Sequence, residues 1–107
     1  MAPEGASFSY AIEWSPTAEV EIDQMRAFDA RAVLHAIELL AAQAEVETRN
    51  RKPLRHPLEE IPVGAWEVRV GAWRILYEVK KQDRIVRILR VILKGRQSTQ
   101  AALREPK

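Results

Sequence analysis

The run Trp66 to Val79, Trp-Glu-Val-Arg-Val-Gly-Ala-Trp-Arg-Ile-Leu-Tyr-Glu-Val, constrains this chain more than any other stretch. Trp66, Val68 and Val70 alternate with Glu67 and Arg69. Beyond Gly71-Ala72, Trp73, Ile75, Tyr77 and Val79 alternate with Arg74, Leu76 and Glu78. Period-two alternation of aromatic and β-branched residues is the mark of a half-buried strand. The run therefore reads as two strands meeting at a tight turn. One face is to join a core, and the other is to carry Glu67, Arg69, Arg74 and Glu78 on a rigid surface.

The rest of the chain has to cover that hairpin. Phe8, Tyr10, Ile12 and Trp14 fall on alternate positions, which predicts a strand over Ser7 to Trp14. Ser15-Pro16 then opens a helix, with serine as N-cap and proline in the first turn. Ala18, Ile22 and Met25 form its apolar stripe, and it is expected to end near Arg26–Phe28. Asp29 is the N-cap candidate for a second, longer helix reaching about Glu47. Its inner face carries Val33, Ile37, Leu40, Ala41 and Ala44, broadened by Leu34. Two helices so closely linked imply an antiparallel αα-hairpin.

Thr48 to Gly64 breaks the periodicity. Prolines 53, 57 and 62 exclude a regular helix or a central strand there. Arg49, Arg51, Lys52 and Arg55 make this loop cationic, partly offset by Glu59 and Glu60. It reads either as a binding loop or as a solvated connector. After the hairpin, Lys80 to Asp83 make a polar turn. Arg84 to Leu93 then read as an inner strand, apolar on both faces. Strict alternation puts Arg87 with Leu89 and Val91 on one face, and Arg84 and Arg90 on the other. Gln97 to Arg104 reads as a short, weak helix.

The expected fold is thus α+β: an N-terminal strand, an αα-hairpin, then a three-stranded antiparallel meander, forming one small sheet covered by the helices. At 107 residues the chain is expected to be a single domain, with residues 1–6 a leader and 97–107 a tail. There is no cysteine, so neither disulfides nor thiolate metal sites are available, which fits a cytoplasmic location. No signal peptide is expected from the first ten residues, and no apolar run has the length of a membrane span.

Charge divides the chain. Residues 1–48 hold two basic and nine acidic residues, whereas residues 49–107 hold fifteen basic and six acidic. Such asymmetry points to polyanion binding, or to acidic helices complementing basic strands within the fold. Both readings stay open at this level.

The order β-α-α-β-β-β, with Arg51-Lys52-Pro53-Leu54 before a Trp-Glu-x-Arg-x-Gly-x-Trp-Arg-x-Leu-Tyr-Glu hairpin and Gly95-Arg96 after the last strand, resembles the RelE/ParE superfamily of bacterial toxins. The resemblance spans about Tyr10 to Arg96. It implies the toxin half of a type II toxin–antitoxin pair, hence a cognate antitoxin as partner, with no cofactor, metal or membrane involved. RelE-like members cleave mRNA on the ribosome without a metal, whereas ParE-like members inhibit DNA gyrase. The leading expectation is the mRNA endonuclease. The alternatives are the gyrase inhibitor and an inactive relative serving as a binding module.

Metal-free cleavage needs a base for the 2′-hydroxyl, cations for the phosphate and an acid for the leaving oxygen. Arg74 matches the arginine of the family's Tyr/Trp-Arg-x-Leu-Tyr strand, Arg69 lies near a basic position of the preceding strand, and Arg96 resembles the arginine beyond the last strand. These three are the candidate catalytic cations, and Glu67 beside Arg69 is the candidate base. Arg51, Lys52, Arg55 and Arg87 are the candidates for added RNA affinity. Two departures stand out. Glu67 occupies a place where RNA-cleaving relatives often carry a basic residue, and the tail has no tyrosine or histidine. Of the other titratable residues, His35 and Tyr77 are assigned to packing and His56 to the loop.

Overall fold

The computed structural model describes residues 9–55, 58 and 60–94. The elements are β1 (Ala11–Trp14), α1 (Pro16–Asp23), α2 (Ala27–Gln43), β2 (Arg51–Pro53), β3 (Trp66–Val70), β4 (Trp73–Lys80) and β5 (Ile85–Leu93), with a 3₁₀ turn over Lys81–Asp83. The α+β class is as expected. The sheet, however, has five strands in the order β1-β5-β4-β3-β2. Strand β1 runs parallel to β5, and all other neighbours are antiparallel. The additional strand is β2, cut from the proline-rich loop. It can sit only at the edge because Pro53 has no N–H to give.

Both helices lie on one face of this sheet. Ala18, Val33, Ile37, Leu40 and Ala44 pack there against Val68, Ile75, Tyr77, Val86, Ile88 and Val91. Leu34 does not join them and is exposed. Helix α2 starts earlier than its sequence suggests. Arg26 is its N-cap, with no side-chain hydrogen bond, and Asp29 lies in the first turn. It also ends earlier, near Gln43, because neighbouring side chains take up carbonyls just beyond it. Tyr77 donates its hydroxyl to the Ala44 carbonyl (2.7 Å), and Arg51 Nη1 donates to that of Val46 (3.1 Å). Burial pushes the Tyr77 hydroxyl's pKa well above the ordinary value, so it stays a donor.

Strand β5 corrects the expected alternation. Leu76 pairs with Arg90 but Tyr77 pairs with Ile88, so Leu89 is an extra residue in β5. A bulge of this kind reverses which side chains face the core. Arg87 therefore does not share a face with Val91, which packs against the helices together with Val86 and Ile88. Helix α1 holds the bulge. Strand β1 pairs with β5 only as far as Ile88, and beyond it the side chains of Ser15 and Glu21 supply the partners. The Ser15 hydroxyl donates to the Leu89 carbonyl (2.9 Å) and accepts the Ala18 amide (3.0 Å). Glu21 Oε1 accepts the Val91 amide (2.7 Å), and its Oε2 accepts Arg90 Nε (2.9 Å) and Nη2 (2.6 Å). The N-cap read from Ser15-Pro16 thus also serves the sheet.

The face away from the helices is not open along its whole length. Leu76 and Ile92 are buried there beneath Leu54, Leu58 and Ile61. The loop after β2 folds back to form a second, small core, and this narrows the rigid charged surface expected from the hairpin.

Candidate functional site

Register alone assembles the hairpin's charged residues. Arg69 stands directly opposite Arg74 across the β3–β4 turn, and Glu67 lies two residues before Arg69 on the same face. From the edge strand, Lys52 pairs with Glu67. Four of the expected site residues, Lys52, Glu67, Arg69 and Arg74, therefore share one patch of the sheet.

Their accessibility differs sharply. Glu67 is buried and Arg74 half-buried, with side chains 9% and 11% exposed, and Glu67 Oε2 lies 3.7 Å from Arg74 Nε. Arg74 Nη1 donates to the carbonyls of Gly71 and Trp73, both at 2.9 Å, and so closes the β3–β4 turn. Gly71 takes the left-handed conformation (φ 60°) that this turn requires. Burial lowers the pKa of Arg74, the like charge of Arg69 lowers it further, and Glu67 opposes both. Arg69 is exposed and Lys52 is half-buried. An anion reaching this patch meets Arg69 first, with Arg74 fixed behind it.

The other expected residues lie elsewhere. Arg51 is buried, with its guanidinium turned inward onto the Val46 carbonyl and Gln43 Oε1 (3.3 Å) at the end of α2. Arg87 is bound to Glu13 of β1 at 2.7 Å and pairs in register with Glu78. Arg55 is exposed in the loop after β2. Arg96 and His56 lie outside the described residues. No group of three or more histidine, cysteine, aspartate or glutamate residues forms a metal-binding cluster among the described residues. No described helix is long and apolar enough to cross a membrane.

The charge division has a visible structural use. Glu21–Arg90, Glu13–Arg87 and Glu45–Lys81 each join the acidic first half to the basic second half. Of these three pairs only Glu21–Arg90 joins an acidic helix to a basic strand; Glu13 lies in β1, Glu45 beyond α2 and Lys81 in the 3₁₀ turn.

Comparison with known proteins places this fold and hairpin. The family model for the ParE toxin of type II toxin–antitoxin systems (parDE) matches residues 12–98. The chain belongs to this toxin family. Among solved structures, it is similar to the toxin–antitoxin complex RelBE2 of Mycobacterium tuberculosis, at 28% identity and a TM-score of 0.64, over 78% of this chain and 95% of that one. It shares its fold with the archaeal RelE–RelB complex of Pyrococcus horikoshii, at 17% identity and a TM-score of 0.66, over 82% and 98% of the two chains. It also shares its fold with the DinJ–YafQ toxin–antitoxin complex of E. coli, at 22% identity and a TM-score of 0.59, over 91% and 99%. A comparison with curated proteins finds no match. The family is that of toxins from type II toxin–antitoxin systems, and several of the structural relatives are held in toxin–antitoxin complexes, which supports the expected antitoxin partner.

The expected site missed two things. Glu67 is a buried counter-ion of Arg74, and the loop after β2 packs Leu54, Leu58 and Ile61 onto the sheet while Arg55 and Val63 stay exposed. Leu54, Leu58 and Ile61, spaced among the prolines, carried the second signal: together with Leu76 and Ile92 they had no place on the helix-covered face.

Proposed function

We propose that this toxin acts by binding its target, in the manner of the ParE-like members that inhibit DNA gyrase. One observation carries the reading: of the two residues that metal-free cleavage would need as base and phosphate clamp, Glu67 is buried and Arg74 is half-buried beside it and bound to the backbone of its own turn. A base has to reach the 2′-hydroxyl within hydrogen-bond distance, and a buried carboxylate beside a half-buried arginine serves more naturally as its counter-ion. The ParE family match supports the same reading.

Ribosome-dependent mRNA cleavage is the second reading, favoured by Arg69 facing Arg74 on rigid strands. Two adjacent arginines can grip a phosphate by parallel bonds. One experiment separates the two. Purified toxin is added to a gyrase supercoiling assay and, separately, to a translating extract in which mRNA 3′ ends are mapped. Inhibited supercoiling beside intact mRNA is expected. Codon-phased cuts that disappear in Arg74→Ala, with gyrase unaffected, would replace the binding reading by the nuclease one.

A further inference from the structure

The outward face of α2 carries a second apolar pattern that the core does not use. Phe28, Ala32, His35, Leu39 and Ala42 follow one another at steps of four, three, four and three residues, and all five are exposed. They lie on the side of the helix away from Val33, Ile37 and Leu40, which are buried against the sheet. A 4-3-4-3 spacing is the seam by which one helix packs along another. Phe28 is 78% exposed and Leu39 40%, and the alanines between and beyond them allow a close approach. Large apolar side chains that folding leaves in water along such a seam mark a contact site for another molecule.

Charge indicates the occupant. Arg31 and Glu38 flank the seam on one side, both exposed, and neither has an ion-pair partner among the described residues. Seven residues apart, they stand about 10 Å from each other along the helix axis and cannot pair within it. An antiparallel copy of the same helix brings them together, because in a two-fold contact residue i meets j and j meets i. The register that sets Phe28 against the partner's Leu39 sets Ala32 against the partner's His35 and Arg31 against the partner's Glu38. A parallel pairing sets Arg31 beside the partner's Ala36 instead and leaves both charges unmatched. We propose that α2 is a self-complementary docking surface through which two copies of this chain associate antiparallel, joined by Phe28, Ala32, His35 and Leu39 and by two Arg31–Glu38 pairs along one rim. The contact lies on the far side of the helices from the charged sheet face, so it leaves Arg69 of both copies open. A single helix seam is a small interface, so the association is weak, with a Kd of roughly tens of micromolar. It does not depend on what the toxin acts on.

The test is sedimentation velocity of the purified toxin over about 1 to 500 µM, where monomer is expected at the low end and dimer at the high end. Leu39→Asp should raise the dimer Kd at least about 100-fold, because a two-fold contact loses the anchor twice. Arg31→Glu and Glu38→Arg should each raise it about tenfold by setting like charges face to face, and the double variant Arg31→Glu/Glu38→Arg should return it to within about threefold of wild type. All three positions are exposed, so the fold is expected to survive, and thermal melting checks this. Val63→Asp, a substitution of an exposed valine in the loop before β3, should leave the Kd unchanged. A wild-type toxin that stays monomeric throughout would overturn the proposal, as would a dimer that folded Leu39→Asp leaves intact. A double charge variant as weak as the single ones would overturn the antiparallel pairing. Loss of antitoxin binding in Leu39→Asp beside a monomeric wild type would assign the seam to the antitoxin instead. The supercoiling and mRNA assays read the target separately and leave these measurements standing.

Discussion

Replacing Glu21 by alanine tests whether α1 holds the β5 bulge. Glu21 is almost fully buried, yet its carboxylate accepts three hydrogen bonds, one from the Val91 amide and two from Arg90. Alanine keeps helix propensity at its best, so any loss comes from those bonds and from side-chain packing. Breaking a buried ion pair costs about 3–5 kcal/mol, and Arg90, with a side chain 19% exposed, can regain some water, which places the cost near the lower end. The stranded Val91 amide adds about 1 kcal/mol. A loss of roughly 4 kcal/mol follows, against the 5–15 kcal/mol by which such domains are stable. At about 4–8 °C per kcal/mol, the melting temperature should fall by roughly 15–30 °C.

Glu21→Gln keeps an acceptor for Val91 but loses the charge facing Arg90, so it should lose about 2 kcal/mol and remain measurable if the alanine variant unfolds. Urea unfolding followed by circular dichroism gives both values, and a double-mutant cycle with Arg90→Ala isolates the pair. A coupling energy above about 1 kcal/mol is expected. If Glu21→Ala stays within about 0.5 kcal/mol of wild type, the bulge does not depend on α1 and the reasoning fails.

Tyr77→Phe leaves the Ala44 carbonyl without its donor and should cost about 1–2 kcal/mol at neutral pH, read by urea titration. Because the folded pKa of Tyr77 lies above the ordinary value of 10.0, unfolding releases its proton once the pH exceeds about 10. Its contribution is therefore complete below that pH and is lost as pH rises through the folded value, so wild type should weaken in alkali more than Tyr77→Phe does. Arg51→Met removes the two bonds that close the end of α2 and should cost about 1–3 kcal/mol, whereas Lys52→Met on the adjacent, half-buried position should cost less than about 1 kcal/mol. Reversal of that order in melting experiments would return Arg51 to the surface role expected from the sequence. Gly71→Ala meets no steric obstacle, but it forces a left-handed alanine and should cost about 1–2 kcal/mol by urea midpoint.

The hairpin, the two helices and the resemblance to a toxin family were all legible because each is written as a local period: two for Trp66 to Val79, and three to four for Ala18 to Ala44. What escaped was set by non-local geometry. Nothing in Arg84 to Leu93 announces that Leu89 is an extra residue, since that strand is apolar on both faces and either parity satisfies the pattern. The bulge is fixed by residues some seventy positions away, Ser15 and Glu21, which take up the Leu89 carbonyl and the Val91 amide. The charged face was misread for a related reason. Alternation tells which side of a strand Glu67 and Arg74 occupy but not how much of that side is open, and Leu54, Leu58 and Ile61, which cover Leu76 and Ile92 there, lie in a segment whose prolines argue against regular structure. The distinction bears on the proposed function. On an open face, a carboxylate between arginines reads as a base beside its phosphate clamp. With Glu67 buried and Arg74 bound to its own turn, Arg69 is left as the exposed cation of the hairpin tip. Exposed in this way, Arg69 fits the binding role proposed above better than a proton-transfer path.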